Sequence, residues 1–209
     1  GVFVRETKAP EGFLLDENGA PAAIMPRVTD EAEGMIEQFM IAANVAVATL
    51  ARQKKLPFIY RVHEHPNMEK LALLADTAKM LGLKTILKTE DLPQTALRAL
   101  MEEAKETPYA RLISERILRS MAKAAYSENP LGHYGLALSD YCHFTSPIRR
   151  YPDLAIHRIL SEYLAHVSKT ALYERYGAFV RTAADASSAC EIRAMNAERD
   201  CEACYKAEY

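Results

Sequence analysis

Glycine is scarce in this chain, with 8 residues among 209, cysteine contributes 4, and tryptophan is absent. The shortage of glycine, set against plentiful Ala, Leu, Glu and Met, excludes a low-complexity chain and favours helix. Four cysteines do not make a disulfide framework at this length. Cys190, Cys201 and Cys204 fall in one strongly helical stretch, where they read as small packing residues. The "CEAC" pair, Cys201 and Cys204, has no second pair to complete a structural zinc site. An excess of one charge is missing too. Lys and Arg number 26 against 28 Asp and Glu, a net charge of -2. That excludes a free-standing nucleic-acid binder held by bulk electrostatics, so any polyanion site must be local. No apolar run reads as long enough to span a membrane, and the start has no signal-peptide pattern. The expectation is a chain of the reducing cytoplasm with no membrane partner.

Hydrophobic residues make up 49% and charged residues 26%, the profile of a globular protein with a sizeable core. Residues 1–28 alternate and carry Pro and Gly punctuation, with "DENG" at Asp16 to Gly19 as a turn signal. They predict two short strands. From Thr29 the period changes to that of a helix with a Thr/Asp cap, early acids and a broad face of Met35, Ile36, Phe39, Met40, Ala43, Val47 and Leu50. Lys54 and Lys55 suit its C-terminal end. A short strand is expected near 57–63, ended by Pro66. A helix capped by Asn67 and closed at Gly82 follows. Two more helices come next, the second capped by Thr107 with Pro108 in its first turn. A short strand is expected within 133–145. A helix should begin near Ser146-Pro147, bent or restarted at Pro152. From about Ala171 to Tyr209 the pattern is one long helix, or two broken at Gly177. No internal repeat is present. The fold class is α+β, mostly helical, in one compact unit.

The stretch "HYGLALSDYCHFTSPIRRYPDLAIHR", His133 to Arg158, concentrates the chemistry. Ser146-Pro147 reads as an N-cap with a first-turn proline, and a helix start offers unpaired N–H groups to an anion. Arg149 and Arg150 can make bidentate bonds to phosphate oxygens. Thr145 and Ser146 add hydroxyls. His133, Tyr134, His143, Phe144 and Tyr151 supply flat surfaces for bases or sugars. The competing reading pairs Arg149 or Arg150 with Asp153 and places the aromatics in the core.

Those residues resemble the signature of the catalytic RNB domain of the RNase II/RNase R family of exoribonucleases. The resemblance runs almost unbroken from His133 to Arg158. Met35 to Leu71, including "IEQFMIAAN" and "YRVHEHP", resembles an earlier segment of the domain, and Ser187 to Tyr209 is similar to its closing helix. "HFTSPIRRYPDL" is nearest to the RNase R branch. The resemblance covers the C-terminal half to two-thirds of an RNB domain. It implies hydrolytic 3′–5′ degradation of single-stranded RNA to nucleoside 5′-monophosphates with divalent metal, Mg²⁺, in a cytoplasmic enzyme.

By resemblance, Arg149 is the catalytic arginine on the scissile phosphate, with Arg150, His143, Thr145, Ser146 and Tyr151 around it. His133 and Tyr134 would help to bind RNA. Glu37 corresponds to the acid that contacts the terminal ribose, a contact that favours RNA over DNA. Glu191 corresponds to an acid near the RNA end. Asn44 is expected to bond backbone in the core, and Arg61 and His63 to orient the channel wall.

The chain departs from the family in two places. The family's tight aspartate cluster, which holds the metal ions, has no counterpart; Asp16, Asp30, Asp76, Asp91, Asp140, Asp153, Asp185 and Asp200 are scattered singly. The expectation is therefore no metal ligand in this chain. The rest of the RNB domain and the flanking OB-type domains would lie in a longer protein. Arg5 stands where the family has a base-stacking aromatic, with Phe3 two residues away. "VRETKAPEGFLLDENG" is also similar to the closing strands of a collagen-adhesin B-type repeat, over sixteen residues. Two other functions follow from these readings: a non-catalytic RNA-binding module or remnant, and a purely structural domain.

Overall fold

The computed structural model describes residues 11–26, 30–87 and 94–209. Phe3, Arg5, Thr29 and Asp91 lie outside them, as do the first expected strand residues and the start expected for the third helix. Among the described residues, ten elements and a short 3-10 turn appear in the order β1 (Glu11–Leu15), β2 (Pro21–Pro26), α1 (Glu31–Lys54), β3 (Tyr60–Val62), α2 (Met68–Met80), α3 (Gln94–Lys105), α4 (Ala110–Ser120), β4 (Ala125–Ser127), the 3-10 turn (Tyr134–Leu136), α5 (Tyr151–Leu164) and α6 (Lys169–Glu208). β1 pairs antiparallel with β2, and β3 and β4 make a second two-stranded sheet. The α+β, mostly helical class is what the composition predicts.

The chain folds as two compact units in place of the single one expected. Arg61–Ala125 and Pro130–Tyr141 belong to the first; the described part of Lys8–Tyr60, with Tyr126–Asn129 and Cys142–Tyr209, makes the second.

The first unit is a helical core. Asn67 caps α2 by accepting the Lys70 N–H at 3.0 Å. Leu71, Leu74 and Ala78 recur at helical spacing and pack with Leu97, Leu100 and Ala104 of α3 and Ile113 and Ile117 of α4. Thr107 does not cap α4, whose N-cap is Tyr109 with no side-chain bond. Its hydroxyl donates instead to the Ala104 carbonyl at 2.7 Å and closes α3. No strand forms within 133–145. His133 makes only isolated bridges to His63 and Leu138 around the 3-10 turn. The strand of this region is β4, earlier in the chain.

The second unit holds the hairpin and three long helices. Asp16 shapes the "DENG" turn by accepting the Asn18 and Ala20 N–H groups, each at 2.9 Å, and Gly19 takes φ +83°, which suits glycine. Asp30 caps α1 by accepting the Glu33 N–H at 2.7 Å. The buried residues of α1 are Asn44, Ala48 and Ala51, while Met35, Ile36 and Phe39 of the expected core face are exposed. By length and composition α1 would also suffice to cross a membrane, which the sequence pattern does not predict. α5 begins at Tyr151, not at Ser146-Pro147, because Arg150 is extended at φ −126° and ψ 118°. Pro152 falls in the first turn, where its missing N–H breaks no ladder, so it causes no bend. α6 runs unbroken for 40 residues, capped by Ser168, and passes through Gly177 without a break. It packs on α5, where Glu162 accepts from Arg175 Nη1 at 2.6 Å and Tyr176 Oη at 2.7 Å, and Leu172 and Val180 are among its buried residues. Cys190, Cys201 and Cys204 are exposed on α6 and not packed as expected; Cys142 is the buried one.

Candidate nucleic-acid interface

The segment from Cys142 to Arg150 is irregular backbone, and polar side chains from α1 and α5 hold it. Mid-helix Asn44 is buried and accepts the Phe144 N–H on Oδ1 at 2.9 Å, while its carbonyl accepts the Cys142 thiol at 3.2 Å. An amide amid apolar residues thus satisfies the polar groups of a loop that has no ladder. His157 of α5 donates from Nε2 to the Phe144 carbonyl at 2.9 Å, and its ring stacks on Phe144 with centroids 4.1 Å apart. Tyr126 Oη bonds His143 Nδ1 at 2.9 Å with the rings edge to face. Burial pushes the Cys142 thiol well up, and the nearby Asp153 charge adds to it.

Residues 147–149 then form a turn. The Ser146 carbonyl accepts the Arg149 N–H at 3.3 Å and the Arg150 N–H at 3.1 Å. The buried Asp153 carboxylate closes it from below. Its Oδ1 accepts the Ser146 N–H and Arg150 Nη2, both at 2.8 Å. The two arginines therefore separate. Arg150 is a paired residue with 18% of its side chain exposed. Arg149 is exposed, and its side chain has no hydrogen-bond or ion-pair partner among the described residues. Ile148 beside it is fully exposed and Tyr151 half-exposed, with the Phe179 ring edge-on to Tyr151 at 6.4 Å. An unpaired guanidinium on a fixed turn, flanked by hydroxyl and aromatic groups, can take a phosphate.

His143, Thr145, Ser146, Arg149, Arg150 and Tyr151 thus stand together on this turn and the start of α5. Glu37 on α1 and Glu191 on α6 are half-buried in the same unit. His133 and Tyr134 belong to the other unit. Tyr134 packs in the helical core there, so its ring offers no open face to a base. His133 is held by burial, with His63 and Arg61 adding charge, so that its imidazole titrates at about 4. His63 has both nitrogens engaged, by the Ala122 carbonyl and the Gly135 N–H. Sequence reasoning gave Asp153 only a pairing role and overlooked His157. Their spacing from Arg150, three and seven residues on, was the available signal.

Among the described residues no group of three or more His, Cys, Asp and Glu comes together to hold a metal ion. Asp153 Oδ1 is committed to the Ser146 N–H and Arg150. Among the described residues the donors do not make a site for the divalent ions that the family resemblance implies.

The chain belongs to the RNB domain family, whose model matches residues 3–166 and spans both units. Ribonuclease R 1 of Lactococcus lactis is 41% identical over 197 residues, covering 94% of this chain and 24% of that protein. Ribonuclease R of Thermotoga maritima is 44% identical over 151 residues, 72% of this chain and 21% of that protein. The structure of Mycoplasma genitalium RNase R in complex with ribose methylated single-stranded RNA aligns with a TM-score of 0.88 at 32% identity, over 97% of this chain and 32% of that one. The chain thus spans about a quarter of the length of the curated relatives it matches.

Proposed function

We propose that this chain supplies the phosphate-binding side of a 3′–5′ exoribonuclease site in a longer protein of the ribonuclease R type. The observation that carries the reading is the separation of two adjacent arginines: Arg150 is committed to buried Asp153, and Arg149 is left exposed on a fixed turn. Ribonuclease R relatives and an RNA-bound related structure support the substrate class.

In this reading Arg149 binds a non-bridging oxygen of the phosphate that links the last two nucleotides of single-stranded RNA. Water attacks that phosphorus, the bond to the upstream 3′-oxygen breaks, and that oxygen takes a proton. A nucleoside 5′-monophosphate leaves. Charge that builds on the phosphate oxygens is met by a positioned guanidinium, which costs no reorganisation at the moment of reaction. Thr145, Ser146, His143 and Tyr151 line the approach, Glu37 accepts from ribose hydroxyls, and Glu191 lies near the RNA end. Hydrolysis of this kind uses carboxylate-bound Mg²⁺ to supply an activated water. Acidic residues outside this chain would hold those ions.

A second reading has support from the lack of a metal-ligand cluster among the described residues: the chain alone binds RNA without cutting it. A transplant tests both. The matching segment of the Lactococcus lactis relative is replaced by this chain, and 5′-labelled single-stranded RNA is followed in Mg²⁺. The chimera is expected to shorten RNA from its 3′ end, and Arg149→Ala to slow it about 10²–10³-fold. The isolated chain is expected to leave the RNA intact. A folded chimera that does not degrade RNA, or one indifferent to Arg149→Ala, would overturn the proposal.

A further inference from the structure

Asp153 occupies the third position of α5 and is 0% exposed. A carboxylate there ordinarily serves its own helix start. This one reaches back instead. Its Oδ1 takes the Ser146 N–H and Arg150 Nη2 at 2.8 Å each. Ser146 in turn accepts the Arg149 and Arg150 N–H groups on its carbonyl. One oxygen therefore ties down both ends of the turn that carries Arg149. Asp153 Oδ2 and Arg150 Nε are buried and unpartnered among the described residues. The carboxylate is thus held by one oxygen only, and burying the other unsatisfied is costly. A buried ion pair that leaves polar atoms unsatisfied is weak as a stabilising device. Stability alone is a poor reason for this arrangement, and geometry at Arg149 is a better one.

We infer that Asp153 is the positioning residue of the phosphate site: by fixing Ser146 and committing Arg150, it presents Arg149 alone to the RNA. This rests on the phosphate-binding reading above. It makes a prediction whose sign separates it from simple electrostatics. Removing a negative charge beside a bound polyanion strengthens binding if charge alone matters. Loss of positioning weakens it.

The test measures binding of a fluorescein-labelled single-stranded oligoribonucleotide to the chain at low salt, with the Ser146 amide exchange read by NMR. Asp153→Asn is expected to bind about tenfold more weakly, the scale of one lost charge-assisted contact, and to lose Ser146 protection. In an Arg149→Ala background it is expected to add no further loss. If Asp153→Asn does not fold, the pair Arg150→Met with Asp153→Leu replaces the ion pair by apolar groups of similar volume, a change that proteins tolerate. It is expected to show the same loss. Equal or tighter binding by the folded variant, or losses that add to that of Arg149→Ala, would overturn the inference while leaving the phosphate reading intact. No binding by the unaltered chain would overturn the phosphate reading and the inference together.

Discussion

The Gly135 N–H donates to His63 Nδ1 at 2.8 Å, and a Cβ built at position 135 would lie 2.8 Å from that same nitrogen. His63 has no room to yield, because its Nε2 donates to the Ala122 carbonyl at 2.6 Å. The pair fixes the orientation of the His63 ring and the path of the 3-10 turn. Gly135→Ala is expected to destabilise the chain by about 1–3 kcal/mol, the usual cost of overpacking. Urea unfolding measures it. The penalty should shrink in a His63→Ala background, since the clash and the bond share one partner.

The two arginines should differ in opposite ways in stability and in binding. Arg150→Ala leaves the fully buried Asp153 carboxylate without its ion-pair partner and is expected to cost about 3–5 kcal/mol. Arg149→Ala removes an exposed, unpartnered side chain and is expected to stay within about 0.5 kcal/mol of the unaltered chain. Thermal unfolding of both variants checks the contrast.

His133 sets a pH dependence. Burial, with the charges of His63 and Arg61, lowers its imidazole from 6.5 in the unfolded chain to about 4 in the folded one. Between those values the unfolded chain binds a proton that the folded chain refuses. Stability therefore falls as pH falls through that window, and His133 contributes no further loss below it. His133→Gln is expected to remove that part of the slope, read as the difference between the two proteins in urea unfolding across pH 7 to 4.

The cysteines predict a labelling pattern. Cys142 is buried and its thiol is pushed up, while Cys190, Cys201 and Cys204 are exposed on α6. A thiol reagent at neutral pH should label those three in the folded chain, and Cys142 only after unfolding. Peptide mass spectrometry resolves the sites.

Local chemistry was legible in the sequence and long-range choice was not. The turn at Asp16–Gly19 and the caps Asp30 and Asn67 each satisfy N–H groups within four residues, so the pattern alone predicts them. The start of α5 was misread because the Ser146 N–H is satisfied by Asp153, seven residues on, and not within a turn of helix beginning there. β4 pairs with β3 from more than sixty residues away, a partnership that three residues cannot announce. On the site, "SPIRR" identified the turn, but which arginine is free depends on the burial of Asp153. His133 and Tyr134 belong to the first unit and the turn from Cys142 onward to the second.

The central claim is that Arg149 binds an RNA phosphate, and the salt dependence of binding tests it most directly. Single-stranded oligoribonucleotide is titrated into the chain and into Arg149→Ala from low to moderate salt. Each neutralised phosphate on a single strand contributes about 0.7 to the slope of log affinity against log salt. The account predicts weaker binding by Arg149→Ala with a slope shallower by about that amount. Coincident isotherms and slopes for the two proteins would contradict it.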